Sequence, residues 1–422
     1  MSANWQSLVD DYVAAHEGDL LALARDLIAH PTVSPPGRNT AAAQRFVADY
    51  LARLGAAVDL FEVYPGDPDV VGTLRGSGGG RSLLLNGHVD VAEVGLEADW
   101  RHPPFAAVVE DGRLYGRGAA DMKGGLAAAL FAARCLRDLG LPLAGDVVFE
   151  VVVGEESGEA GTVACVERGY RADFAVVPEP TGLTVSGQGG VVTAWITIQS
   201  PETLHDGVRR RIIHAGGGLF GASAIEKMVK VIQGLQDLER HWAVTKSYPG
   251  FPPGATTINP AVVEGGRHPA SLADRCALWC TFHFYPDETA EGIAAEVEEH
   301  IRRVAEADVW LRQHPPTFRW GGSSMIVDRG EVFPAVPLDR EGPGIQCLAA
   351  AHEAVLGGLP GYQMWPSVSD AGWLARAGIP AVVYGPGELE QAHALDESVA
   401  VADLLAAARV YAQLTYEWCS SR

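Results

Sequence analysis

The chain has 422 residues, 47% apolar and 20% charged, and its 53 acidic against 32 basic side chains leave a formal charge of −21. At roughly 100–200 residues per domain that length predicts two or three domains, and the balance excludes a largely disordered chain. A surface this acidic repels phosphate backbones and anionic lipid, so no nucleic-acid or membrane partner is expected.

No apolar run reaches the ~18 residues that a membrane helix needs. Met1–Asp11 has neither a basic n-region nor an apolar h-region, which predicts a cytoplasmic protein without a signal peptide. Six cysteines in a chain of this length make no disulfide framework. Cys276 and Cys280 alternate with Leu278 on an expected strand and read as core thiols. A zinc-ligand pair is the other reading of these two.

In chain order, Trp5–Ile28 reads as one helix and Thr40–Leu54 as a second, separated by the turn-rich segment Pro31-Thr32-Val33-Ser34-Pro35-Pro36-Gly37. Strands and helices then alternate. Leu83-Leu84-Leu85 is a short apolar run, Met122–Leu139 an Ala/Leu-rich helix, and Val147–Val153 and Ala172–Val177 are continuous apolar strands. Uninterrupted apolar strands between helices predict a buried, mostly parallel sheet covered on both faces. From about residue 190 the texture changes. Val191–Ile198 alternates like a half-exposed antiparallel strand. A helix over Ala222–Glu239, strands over Thr256–Val263 and Arg275–Phe284, and an acidic helix over Glu288–Ala307 complete a βαββα order. A helix over Ile345–Val355, the strand Ala381–Tyr384 and a helix over Val399–Tyr416 return to the first pattern. The expectation is an α/β fold whose mostly parallel sheet is sandwiched by helices, in a discontinuous domain (1–190 and 308–422) interrupted by a smaller α+β domain (191–307).

Five motifs stand at the ends of the expected sheet strands, where open α/β sheets place their sites. In Leu85-Asn86-Gly87-His88-Val89-Asp90, an extended backbone puts His88 and Asp90 on one face, where the Asp90 carboxylate can take the far imidazole N–H and orient the ring for a metal. Asp121 stands in the loop just before a helix. Gly154-Glu155-Glu156-Ser157 follows a buried strand, as does Val177-Pro178-Glu179. His393 follows the last strand and Gly385-Pro386-Gly387. Each motif alone is ordinary. Together they place two histidines and several carboxylates at one edge, with only Arg117 and Lys123 as basic neighbours, and such a set suits a pair of Zn2+ or similar ions.

These residues, in this order and over nearly the whole chain, resemble the di-zinc amidohydrolase and metallopeptidase family of acetylornithine deacetylase, succinyl-diaminopimelate desuccinylase, aminoacylase-1 and the glutamate carboxypeptidases. The resemblance implies two zinc ions (Zn2+) per subunit, with cobalt (Co2+) as a substitute. It assigns His88 and Glu179 to one ion, Glu156 and His393 to the other, and Asp121 to the bridge. Asp90 resembles the residue behind His88, and Glu155 the catalytic base. The inserted domain resembles the family's ferredoxin-like lid and dimerisation domain, which implies a homodimer. Within Ile213-His214-Ala215-Gly216-Gly217-Gly218, His214 resembles the lid histidine that stabilises the oxyanion, often across the dimer.

One departure bears on substrate. Family members that cleave N-acyl amino acids or peptides carry an arginine in D-x-R-x-x-P, and an asparagine thirteen residues earlier, to hold the substrate carboxylate. Here Thr281-Phe282-His283-Phe284-Tyr285-Pro286 puts His283 at the arginine position, and Ala270 stands at the asparagine position. Neither offers the guanidinium fork. His283, and His205 in an apparent insertion at Ser200–Arg211, are the candidate substrate contacts. The resemblance is nearest to the acetylornithine deacetylase-like subgroup that includes the N-formyl aminopyrimidine deformylases. Trp242, Tyr248 and Phe251 are candidate aromatic surface for a heterocycle. The expected activity is removal of a small acyl group, formyl or acetyl, from a small-molecule N-acyl amine. A dipeptidase or carboxypeptidase of the same family, and a non-catalytic metal-binding protein, stand as alternatives.

Overall fold

The computed structural model describes residues 5–35, 37–158, 161–212 and 220–420. It divides into two compact units, one of residues 1–188, 324–327 and 336–422, the other of residues 189–323 and 328–335. The first unit opens with helices α1 (Trp5–Ala15), α2 (Glu17–Ile28) and α3 (Ala41–Arg53) and continues through β1 (Ala57–Tyr64), β2 (Asp67–Leu74), β3 (Leu83–His88), β4 (Val108–Glu110) and β5 (Arg113–Tyr115). Then come α4 (Lys123–Asp138), β6 (Val147–Val152), α5 (Gly161–Glu167), β7 (Phe174–Val177) and β8 (Val185–Gln188). The second unit holds β9 (Gly190–Gln199), α6 (Ala224–Thr245), β10 (Ile258–Gly265), β11 (Arg275–Phe284), α7 (Ala290–Glu306), β12 (Thr317–Trp320) and β13 (Val332–Phe333). The chain returns to the first unit with α8 (Pro343–Leu356), β14 (Tyr362–Trp365), α9 (Ala371–Arg376), β15 (Ala381–Val383), β16 (Ser398–Ala400) and α10 (Val401–Ser420).

The large sheet of the first unit has the order β1-β2-β6-β3-β7-β15-β8-β14. Its central pairings, β6 with β3, β3 with β7 and β7 with β15, are parallel, as is β14 with β8. Its central strands bury both faces, and the side chains sort by the strand period of two. Leu83, Leu85, Phe149 and Val151 enter the core under α4 and α10, while Leu84, Val148, Val152 and Val177 enter the core that holds Leu374 of α9. That double burial is why these strands carry no polar alternation. Two strands at one edge, β1 and β2, form an antiparallel hairpin. A separate three-stranded sheet is built from β16, β5 and β4.

The second unit is an antiparallel sheet of order β10-β11-β9-β12, with β13 also on β9, and two helices. The sequence βαββαβ with this strand order is ferredoxin-like. Met228, Val231, Leu235 and Trp242 of α6 and Ile293, Val297 and Ile301 of α7 pack on Ile196, Ile198, Leu278 and Phe282, and Cys276 and Cys280 lie among them as buried free thiols.

Three expectations change. The expected helix Trp5–Ile28 is two helices broken at His16, whose Nδ1 lies 2.8 Å from the Tyr12 carbonyl oxygen. β9 is buried on both faces rather than half-exposed, because Trp195 meets Trp279 edge-on and lies under the Arg329 guanidinium at 4.4 Å. Trp242 is fully buried, its indole N–H donating to Glu296, so it is core and not a stacking surface. No helix among the described residues is long and apolar enough to cross a membrane.

Candidate metal centre

Strands β3, β6, β7 and β15 are mutually parallel neighbours, so their C-terminal ends reach one edge of the sheet together. His88 is the last residue of β3. Gly154, at φ +87°, turns the chain after β6 into a single 3-10 turn over Glu155–Ser157. Glu179 lies two residues beyond β7. His393 lies beyond β15 and holds φ +60°, a left-handed backbone rare outside glycine and asparagine and the kind of strain that functional loops carry. Asp121 precedes α4. The helix start fits here because Gly124 and Gly125 have no side chain: a Cβ on Gly124 would stand 2.2 Å from the Ala119 carbonyl oxygen, and one on Gly125 2.1 Å from that of Pro178. The glycine pair thus lets α4 sit directly against the loops that carry Asp121 and Glu179.

The side chains converge. Nε2 of His88 lies 3.2 Å from Asp121 Oδ1, 3.6 Å from Glu179 Oε1 and 3.9 Å from Glu155 Oε2. Nε2 of His393 lies 2.8 Å from Glu156 Oε2 and 3.4 Å from Asp121 Oδ2. Asp121 therefore turns one oxygen to each histidine, the geometry of a bridging carboxylate. One ligand atom each from His88, Asp121 and Glu156 falls within 4.8 Å of the others.

His88 Nδ1 stands 2.9 Å from the Asp90 carbonyl oxygen. A carbonyl only accepts, so Nδ1 carries the proton and, in the neutral ring that a metal would bind, Nε2 presents a lone pair. That nitrogen is buried without a hydrogen-bond partner, and so is Glu179 Oε2. The Asp90 carboxylate does something other than the sequence predicts. It is 3.8 Å from the imidazole and accepts from the backbone N–H groups of Gly154 and Glu156 at 3.0 Å each. The carbonyl orients the ring, and the carboxylate holds the turn that displays Glu155 and Glu156.

The electrostatics follow from crowding anions in a low dielectric. Burial, with the charge of Asp121 added, pushes Glu179 up to about 8. Burial and the carboxylates of Glu179, Asp370 and Glu156 push Glu155 well above the usual carboxylate range, against the pull of His88. Hydrogen bonding to Asp121 and Glu156 raises His393 to about 10. His88 rises despite burial, through Asp121 and Glu179, and Asp121 falls despite burial, through the two histidines. Glu155, Glu179 and the two imidazoles are all pushed towards their protonated forms because negative charge is in excess. Orphaned Nε2 and carboxylate lone pairs facing one another are what a divalent cation satisfies, and the mixed nitrogen and oxygen donor set fits a borderline metal.

Glu397 is the member of this site that sequence reasoning missed. It is fully buried, and its Oε1 accepts from the N–H groups of Gly118, Ala120 and Asp121 at 2.8–3.1 Å. Its Oε2 pairs with Arg117 Nη1 at 2.7 Å, and Arg117 Nη2 donates to the His393 carbonyl at 3.1 Å. The pair therefore ties the Asp121 loop to the His393 loop. The signal was Arg117 itself, since a guanidinium inside a buried motif requires an anion.

The other candidates lie in the second unit. His283 on β11 is half-buried, its Nδ1 2.9 Å from Thr257 Oγ1, and burial lowers its pKa. His205 is exposed and accepts from the Gly207 N–H at 3.0 Å. Tyr248 and Phe251 form a half-buried aromatic group with Tyr285. His214 lies outside the described residues.

Residues 84–417 match Peptidase family M20/M25/M40. The chain belongs to this family. Among family relatives, it is 55% identical over 413 residues to the N-formyl-4-amino-5-aminomethyl-2-methylpyrimidine deformylase of Halalkalibacterium halodurans, and 52% identical over 412 residues to the deformylase of the same name from Bacillus subtilis, covering 97% of both chains in each case. Among solved structures, it is similar to an M20 family metallo-carboxypeptidase from Sulfolobus solfataricus (TM-score 0.72, 18% identity, 94% of this chain and 99% of that one). It is also similar to a dinuclear metal-binding peptidase of the M20 family from Bacillus subtilis (TM-score 0.64, 17% identity, 97% and 100%). At these identities the two structures speak for the fold.

Proposed function

We propose that this chain is a metal-dependent amide hydrolase that removes the formyl group from N-formyl-4-amino-5-aminomethyl-2-methylpyrimidine, releasing formate and the free amine. The observation that carries this reading is the 52–55% identity to two deformylases over 97% of each chain. The site supports it independently. His88 and Glu179 would hold one ion, Glu156 and His393 the other, and Asp121 would bridge them, each oxygen already turned to one histidine. Zinc suits this donor set, with cobalt as a substitute.

Two ions held there would polarise the formyl carbonyl and lower the pKa of the attacking water towards ~7. The protein supplies the rest. Glu155, whose carboxylate is displayed by a turn fixed through Asp90, takes a proton from the water as it attacks the formyl carbon. As the C–N bond breaks, Glu155 returns that proton to the departing amine nitrogen. A carboxylate made more basic by burial suits both transfers at neutral pH. His214 is proposed as donor to the developing oxyanion, on the family resemblance alone. The same resemblance underlies the proposals that the inserted domain, expected over 191–307 and extended in the structure by β12 and β13 to residues 189–323 and 328–335, is a lid and dimerisation domain, that the protein is a cytoplasmic homodimer, and that His283 and His205 contact substrate.

His283 and Ala270 replace the family's carboxylate clamp, which favours an amine without an α-carboxylate over a dipeptide or an N-acyl amino acid. An unpaired buried carboxylate costs several kcal/mol. With zinc or cobalt supplied, kcat/KM for the N-formyl aminopyrimidine should therefore exceed that for N-acetylornithine by about tenfold or more. A comparable preference for N-acetylornithine contradicts the proposal.

A further inference from the structure

The turn between α2 and α3 supplies no candidate metal ligand, yet its residues 30–34 bond to three of the motifs that do. At one end the His30 carbonyl accepts from Nζ of Lys123, two residues beyond Asp121, at 2.8 Å. In the middle, Thr32 donates its hydroxyl to the Val89 carbonyl and accepts from the Val91 N–H at 3.0 Å, and the Ser34 N–H donates to the Val91 carbonyl at 2.9 Å. Val33 and Val91 thereby pair in parallel, beside the stretch that carries His88 and Asp90. At the other end Ser34 Oγ lies 2.6 Å from Ser157 Oγ, in the turn that displays Glu155 and Glu156. Thr32, Ser34, Lys123 and Ser157 are all buried. Apolar side chains would fill such an interior without needing partners. What the polar ones add is direction, because a hydrogen bond fixes where its two ends stand.

The Glu155–Ser157 turn needs that direction. A single 3-10 turn has little bonding of its own, here the Ser157 N–H to the Gly154 carbonyl at 3.2 Å and the Gly158 N–H to the Glu155 carbonyl at 2.9 Å. Its start is held by the Asp90 carboxylate, through the N–H groups of Gly154 and Glu156. Its end is held at Ser157, whose hydroxyl meets Ser34 and whose carbonyl accepts from the Met325 N–H at 2.8 Å. Glu155 stands between these anchors, with Oε2 3.9 Å from His88 Nε2. A group that carries a proton between water and leaving amine must keep its geometry, and a displacement of about 1 Å can cost about 10²-fold in rate.

We propose that Ser34 is a positioning residue for Glu155: by its bond to the Ser157 hydroxyl it fixes the far end of the turn against the stretch that carries His88 and Asp90. The inference rests on the reading of Glu155 as general base, and it gives the segment between α2 and α3 a part in the reaction. Asp90 and Ser34 then clamp the turn from its two ends, one through backbone N–H groups and the other through a side chain.

Ser34→Ala, Ser157→Ala and the double variant test this, each in the zinc-loaded chain. Either single change should lower kcat for the N-formyl aminopyrimidine about tenfold and leave KM and metal content as they are. The double should lose no more than either single, because both break one link. It should also unfold near the natural chain's temperature, since no hydroxyl is left without its partner. A loss of kcat that persists once stability is restored separates positioning from support of the fold. Without any turnover, hydrogen–deuterium exchange in a peptide covering residues 154–158 should quicken about fivefold in all three variants. A natural kcat in Ser34→Ala or in the double overturns the proposal. So do losses that multiply to about 100-fold in the double, loss of metal in step with kcat, or unchanged exchange. A natural chain that does not deformylate at all refutes the proposed function instead, and the exchange rates then decide alone whether Ser34 holds the turn.

Discussion

Each unit contains a buried cluster of charge, and the two are built on opposite plans. In the second unit Asp308 is 4% exposed and lies 2.7 Å from both Lys227 and Lys230, while accepting from the N–H groups of Trp310 and Leu311 at 2.9 Å each. Against the opposing effect of burial, the two ammonium groups hold its carboxyl well below the usual range. That cluster carries its own counterions. In the first unit Asp121, Glu155, Glu156 and Glu179 face only two imidazoles, and Glu155, Glu179 and both histidines are pushed towards their protonated forms in compensation. A cluster with counterions included is structure, and one that lacks them is a receptor for a cation.

The largest expected effect breaks the chemistry and keeps the cation. Glu155→Gln should lower kcat by about 10²–10⁴-fold while bound metal stays constant, as measured by steady-state kinetics beside elemental analysis. A near-natural rate at saturating substrate rejects the general-base role.

The opposite cluster should respond in stability alone. Asp308→Asn leaves two lysines without their carboxylate and should cost about 3–5 kcal/mol in denaturant unfolding at pH 7. The sign with pH follows from a carboxyl depressed in the folded state. Its stabilisation is present above the unfolded pKa of about 4 and is lost as pH falls through the lower folded value. The gap between the natural chain and Asp308→Asn should stay constant from pH 7 to about 5 and narrow below about 4. A gap that widens with acid contradicts this account of the cluster.

The smallest effect sharpens the boundary between the two plans. Glu397 is buried with its own partner, Arg117, like Asp308, yet it braces the candidate metal cluster by holding three N–H groups of the Asp121 loop. Glu397→Gln should weaken metal affinity by about 10–100-fold, read by chelator competition, with the helical circular dichroism retained.

The same contrast explains what could be read from sequence. Strands β3, β6, β7 and β15 bury both faces, so Val147–Val153 or Ala381–Tyr384 announce themselves as apolar runs. The β1–β2 hairpin does not, because β1 is largely exposed and β2 opens with Asp67 and Asp69, whose carboxylates accept backbone N–H groups of Thr40 and Val153. Strands of three or four residues such as β4, β5, β12, β14 and β16 are too short to carry a period. His88, Asp121, Glu155, Glu156, Glu179 and His393 were legible because each follows a strand or precedes a helix within a motif. Glu397 was not, since its partners are backbone amides far away in the chain, and those leave no mark on a sequence. Asp90 was half legible: its proximity to His88 was clear, but which of its oxygens the ring meets depends on where Gly154 and Glu156 put their N–H groups.

The central claim is that the carboxylate excess in the first unit exists for metal, and metal stoichiometry tests it most directly. After stripping with a chelator and dialysis against zinc, elemental analysis of the natural chain should find about two ions per chain, and Glu156→Gln should keep about one. A natural chain that still binds none, or a Glu156→Gln chain that binds as many as the natural one, would contradict the account.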